Sequence, residues 1–281
     1  MRESTLRIYL MIAVIFLTFN SLYAQTFDLQ SISTDKKQFD LSYNRQFYNN
    51  NYDMSTFSGV YQLYLDIPVS SKLNIVGNIP LIVTSYSINY GFGEYNYSEN
   101  GLGNVFLGIQ TNPESIDNRK NIFTFGLYLP TASEKASFNG ATADYYYIGK
   151  YIPNSLGIYF NYAFHKLNIE GFKYGFEIGP NLMIPTKGNG AETEFLAHYG
   201  ITGGYQIKQL TLSLEFVGVV VISEDIQNFE DRFVNMLNIG AQWDGGIVKP
   251  MIYYKYYLRE EIRHTIDGVL GIGVNVWIDW K

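Results

Sequence analysis

The chain has no cysteine, only 16% of its residues are charged, and only three are histidine. Without cysteine there can be no disulfide framework, thiolate metal site, cysteine nucleophile or lipid-modified N-terminal cysteine. With His165, His198 and His264 as the whole histidine supply, there are few ways to build a metal centre or an acid–base pair. The net charge of −6 argues against nucleic acid, whose phosphates are held by an excess of Lys and Arg. Beyond residue 24, no apolar run approaches the roughly 20 residues that a membrane-spanning helix needs.

In place of charge the chain is rich in aromatics, at 17% of residues with 25 tyrosines. Met1 to Ala24 reads as a secretory signal peptide. Arg2 and Arg7 begin it, Ile8 to Phe19 form an apolar run too short to span a bilayer, and Ser21-Leu22-Tyr23-Ala24 precede a cleavage point near Gln25. Residues 25–36 read as a periplasmic lead-in, either disordered or folded into a lumen as a plug segment. Residues 37–281 read as one β domain.

Twelve segments of about ten residues follow, each partly or fully alternating between apolar and polar positions: Gln38–Tyr48, Gly59–Val69, Lys72–Thr84, Gly103–Thr111, Asn121–Pro130, Asn154–His165, Phe172–Ile184, Glu194–Tyr205, Leu210–Ile222, Phe233–Trp243, Ile247–Arg259 and Leu270–Lys281. In the last, Leu270, Ile272, Val274, Val276, Ile278 and Trp280 share one face, and Asn275, Trp277 and Asp279 share the other. A period of two is the signature of a strand with two different surroundings. The connections alternate too. Those near Ser70, Asn112, Leu167, Gln206 and Asp244 are mostly short, and those at Ser85–Gly101, Thr131–Pro153, Thr186, Ser223 and Glu260 are mostly longer.

A soluble β-sandwich also alternates, but it scatters charge over its outer face. Here the apolar phase is nearly free of charge, so exposing it to water would create a patch far larger than a soluble monomer tolerates. The predicted fold is an all-β, transmembrane antiparallel up-and-down barrel of about twelve strands in the outer membrane of a Gram-negative bacterium. Both termini and the short turns are periplasmic, and the longer loops extracellular. A short helix is expected near Ser223–Arg232, and Trp280 is expected at the periplasmic interface.

Three short motifs carry a resemblance. Leu73-Asn74-Ile75-Val76-Gly77-Asn78-Ile79-Pro80 lies upstream, Gly101-Leu102-Gly103-Asn104 precedes Val105-Phe106-Leu107-Gly108-Ile109, and Leu127-Tyr128-Leu129-Pro130-Thr131-Ala132 closes the following segment. The order resembles the family of the meta-pathway of phenol degradation, in which an Asp occupies the place of Asn104 and a Gly that of Ala132. The resemblance spans about residues 60–132. It implies an outer-membrane barrel related to transporters of hydrophobic compounds, and no catalytic residue is carried over.

The polar phase supplies the candidate substrate-binding, lumen-lining residues: Asp66, Glu177, His198, Glu215, Lys249, Tyr253, Lys255 and Asn275, together with Asn78 and Asp279. Unpaired charge is costly inside a closed barrel, so Glu177, Glu215, Lys249 and Lys255 are expected to form a salt-bridged network. The alternative is that some of them line a narrow pore and select solutes by charge.

The expected function is passage or capture of a small solute, hydrophobic or otherwise, by passive diffusion through a narrow lumen. The expected partners are outer-membrane lipid, that solute and, during biogenesis, the barrel-assembly machinery. No cofactor, metal or enzymatic activity is expected. Glu260, Glu261 and His264 read as solvated loop residues rather than cation ligands. A second reading makes Ser85–Gly101 and Thr131–Pro153 partner-binding surface loops. A third, a lipid esterase, would need a Ser beside His165 or His198, and no motif places one there. Tyr145-Tyr146-Tyr147 read as an interfacial aromatic girdle.

Overall fold

A computed structural model describes residues 27, 36–49, 52–89, 93–166, 171–187, 192–223 and 229–279. The secretory segment and Trp280 therefore lie outside the described residues. The strands are β1 (Lys36–Tyr48), β2 (Tyr52–Met54), β3 (Gly59–Ser70), β4 (Leu73–Asn89), β5 (Glu94–Leu102), β6 (Phe106–Thr111) and β7 (Arg119–Tyr128). They continue as β8 (Ser155–Lys166), β9 (Gly171–Pro185), β10 (Glu194–Ile207), β11 (Leu210–Val221), β12 (Phe233–Trp243), β13 (Val248–Tyr257) and β14 (Ile266–Asp279).

Each wall strand pairs antiparallel with its neighbours, and the sheet closes where β1 meets β14 over Lys36↔Asp279 to Tyr48↔Ile266. The wall is a closed barrel of 12 strands. The other two, β2 and β5, flank the far half of β4, pairing Tyr52↔Ile88 and Glu94↔Asn89. The expected loop Ser85–Gly101 is thus largely a hairpin that continues β4 beyond the rim, because its alternating Ser, Tyr and Asn residues go on satisfying strand hydrogen bonds.

The apolar phase faces outward. Leu41, Leu63, Ile75, Ile109, Phe125, Ile178, Ile201, Leu214, Ile239, Ile252 and Ile272 are all exposed around the circumference. The intervening positions, among them Gln62, Asp66, Asn161, Glu177, Glu215, Asn238, Lys249 and Asn275, are buried within the lumen. In the hydrocarbon core every backbone group must be bonded, and closure achieves this without leaving an edge.

Of the short helix expected near Ser223–Arg232, residues 224–228 lie outside the described residues and Phe229–Arg232 form a 3₁₀ turn. One expected element differs. Thr131–Pro153 does not stand outside the barrel. It forms α1 (Ser137–Ala143) and a 3₁₀ turn, Tyr145–Lys150, in which Ala143, Tyr146 and Lys150 are buried inside the wall. The buried face of α1 is built of the small residues Ser137, Gly140 and Ala143, and Gly140 is required because a Cβ there would stand 2.2 Å from the Tyr151 ring. Ala136 and Ala143 pack with Val60, Ile82 and Tyr151. This burial offsets the cost of ordering the loop. A second short helix, α2 (Glu260–Arg263), lies between β13 and β14.

Candidate functional site: a lumen crossed by an inner loop

The inner loop begins and ends where two of the sequence motifs clasp each other. The Thr131 hydroxyl donates to the Gly103 carbonyl at 2.7 Å and accepts from the Val105 amide at 2.9 Å. The Asn104 side-chain amide donates to the Gly149 and Ile152 carbonyls at 2.9 and 2.7 Å, and its oxygen accepts from the Ala132 amide at 2.9 Å. Gly101 and Gly103 are small because the loop lies against them: a Cβ at Gly101 would meet Ser133 at 2.5 Å, and one at Gly103 the Lys150 carbonyl at 2.6 Å. The Gly-Leu-Gly-Asn and Leu-Pro-Thr-Ala motifs are therefore one physical device, the seat of the inner loop. Asn104 stands where the family pattern has an Asp, and an aspartate could not donate to the two carbonyls.

From this seat the loop crosses the lumen. On one side, Gln46 donates to the Asn139 carbonyl, the Tyr48 hydroxyl to Asn139 Oδ1 at 3.0 Å, and Asn139 Nδ2 to Thr84 at 2.8 Å. The Tyr257 hydroxyl on β13 donates to the Thr142 carbonyl at 2.8 Å. On the opposite wall the Tyr146 hydroxyl donates to Glu177, and its ring meets His198 edge-on at 5.7 Å. At the bend, Asp144 accepts from Lys255 at 3.0 Å, from Gln62 at 2.8 Å and from Lys150 at 3.4 Å. Burial alone would raise the Asp144 carboxyl, but Lys255 and Lys150 outweigh it and hold the group well below the usual carboxylate range.

All eight candidate residues lie on the lumen side, and the largest exposure among them is 3%, at Tyr253. Several have partners on the loop or the wall. Lys249 pairs with Asp244 at 3.5 Å and lies over the Trp277 ring at 3.5 Å, while Lys255 pairs with Asp144. Glu177 accepts from Tyr146 and Asn161, and Glu215 from Asn238 at 3.5 Å and from the Phe27 amide at 2.8 Å. The inner loop brings its own carboxylate, ammonium and phenol into the lumen, where Asp144 meets Lys255 and Tyr146 meets Glu177. Asp66 accepts from Asn74 at 2.6 Å, and Tyr253 donates to Asn44 at 2.6 Å. Asn275 lies opposite Lys249 in register. Asp279 is a correction: it is 74% exposed at the rim and pairs with Lys36 rather than entering the lumen.

His198 Nε2 lies 2.9 Å from Asn161 Oδ1 and its Nδ1 3.3 Å from Asn181 Nδ2, with the ring stacked on Tyr159 at 5.0 Å. Both nitrogens thus face amides, as in a structural histidine. Phe27, within the lead-in, stacks on Tyr253 at 5.1 Å over Gly240, where a Cβ would meet its ring at 2.7 Å. Tyr145–Tyr147 are not a girdle. They join Phe106, Tyr128, Tyr159, Met183 and Tyr257 in an apolar, aromatic cluster inside the lumen on the longer-loop side. Glu260 and His264 sit 3.8 Å apart and exposed, and no group of three or more metal-ligating side chains occurs among the described residues.

Sequence reasoning missed Asp144 and Asn104. Glycine pairs placed against polar residues were the available signal.

The fold of the barrel has a counterpart among solved structures. The chain is similar to the COG4313 outer membrane channel from Pseudomonas putida F1, with a TM-score of 0.60 and 12% identity over 91% of this chain and 100% of that one. This is an outer-membrane-type barrel. LpxR from Salmonella typhimurium matches more loosely, with a TM-score of 0.46 and 10% identity over 86% of this chain and 100% of that one. No protein-family model and no curated protein sequence matches.

Proposed function

We propose that the chain is an outer-membrane channel passing a small solute without an energy source, through a lumen that the inner loop narrows. The observation that carries this reading is the closed wall with an apolar exterior and a lumen lined by buried polar and charged side chains around an inner loop. A barrel of this strand number leaves a narrow interior at most, between the filled eight-stranded and the wide sixteen-stranded types. Both termini and the short turns face the periplasm in this reading, following the usual asymmetry of such barrels. The aromatic and aliphatic cluster on the longer-loop side favours solutes with apolar surface, and the Lys249, Asp244 and Glu215 side beyond it discriminates by charge.

The test is solute flux and single-channel conductance of the purified protein in bilayers. Discrete conductance that changes when Lys249 or Glu215 is neutralised supports passage. A folded barrel that stays silent toward ions and toward small apolar and polar solutes overturns it.

A further inference from the structure

We propose that residues 131–153 are the selective gate of this passage and that Asp144 is the residue holding the gate shut. This inference rests on the passage reading above. Three observations carry it.

First, the loop is bonded to opposing walls: to β1 and β4 through Asn139, and to β9 through Tyr146 and Glu177. In this position it spans the lumen rather than lining it, so the barrel diameter does not set what passes.

Second, both loop ends are fixed on the same rim. Thr131 is held by Gly103 and Val105, and the Asn154 carbonyl accepts from the Thr186 amide at 2.7 Å. The segment between these points can swing toward the rim without breaking a strand pair, with Asn104 as its pivot. Its one α-helix has seven residues and no side-chain cap, too little to hold a position by itself.

Third, the buried ionic attachment of the loop converges on one carboxylate, whereas its outlying pairs, Lys135 with Glu99 at 3.8 Å and Glu134 with Lys187 at 3.6 Å, each involve a side chain at least 60% exposed. Asp144 takes Lys255 of β13 and Gln62 of β3, which lie on either side of the β1–β14 closure, and folds Lys150 of its own loop onto the same oxygen as Gln62. Most of the loop's other wall contacts are hydrogen bonds between uncharged groups, which water replaces at little net cost. A charged group stranded by loop withdrawal is not so easily compensated. Asp144 therefore dominates the closed state, and a solute enters by competing with this clamp and with the Tyr146 contact.

The experiment compares conductance and liposome flux of the full chain with Asp144→Asn, Lys255→Met and a variant in which residues 133–152 are replaced by a short Gly-Ser linker. Heat-modifiable gel migration confirms that each barrel is closed. We expect a several-fold rise in mean conductance for both point variants, approaching that of the linker variant. Since the chain has no cysteine, Thr142→Cys with Tyr257→Cys can be bridged by a bifunctional thiol reagent in the Asp144→Asn background. Bridging is expected to return conductance to the unmodified level. Wild-type conductance in both point variants, with a raised value in the linker variant, makes the loop a fixed plug and overturns the gate while passage stands. Silence in the linker variant overturns passage itself, and the gate with it. Should Asp144→Asn fail to fold, Lys255→Met decides alone, because methionine nearly matches the lysine stem in volume.

Discussion

At the residue scale, the site is organised by side chains whose partners lie far away in sequence. Asp144 and Lys255 are 111 positions apart, and no local pattern marks either as the other's mate. The depressed Asp144 carboxyl has a direction that can be tested. Its value in the folded protein lies below the roughly 3.9 of an unfolded chain, so its contribution is fully present above that value. It is lost as pH falls toward the folded value. Amide hydrogen exchange at Gly140–Lys150 should therefore be flat between about pH 7 and 5, after correction for intrinsic rates, and should accelerate only below about pH 4. Asn104→Asp should cost about 1–3 kcal/mol, because two carbonyls lose their donor and face a carboxylate instead. The readout is the temperature at which the folded gel band disappears, and an unchanged temperature would contradict the clasp.

At the element scale, the two phases of each strand were legible and the inner loop was not. Alternation in segments such as Leu210–Ile222 fixes which side chains meet lipid, because period two allows no other arrangement once one face is buried. The eight lumen candidates follow from that rule and from nothing else. Tyr145-Tyr146-Tyr147 defeated it: three aromatics beside a strand end look like an interfacial belt, and only the pairing of Tyr146 with Glu177 across the barrel shows where they go. The glycines held part of the answer. Gly108 and Gly126 sit beneath the Phe106 ring, and a Cβ at Gly126 would stand 2.4 Å from it. Gly126→Val should push Phe106 off Tyr128 and Tyr159 and cost about 1–3 kcal/mol by overpacking, measured by the same thermal gel assay. If Phe106→Ala in the same chain does not relieve that cost, the ring is not the obstacle.

At the scale of the whole molecule, the lipid belt makes a depth-dependent prediction. Ile239 is 61% exposed on the outer face of mid-strand β12. Ile239→Arg should destabilise the inserted barrel by about 2–4 kcal/mol in a bilayer refolding titration, whereas the same change near a rim, at Ile247, should cost about 1 kcal/mol or less. Equal costs at both positions would mean that the belt is placed wrongly. The fold class was readable because it depends on repetition, whereas the shape of the passage depends on one loop that repeats nothing. The closure of β1 on β14 carries a further consequence for biogenesis. Among the described strands the first, β1, is paired on one side by the last, β14, so until β14 has been made β1 has an unsatisfied edge. A chain cut short anywhere cannot complete the ring, and it presents that raw edge to proteases instead. The seam thus makes protection of β1 wait on the arrival of β14.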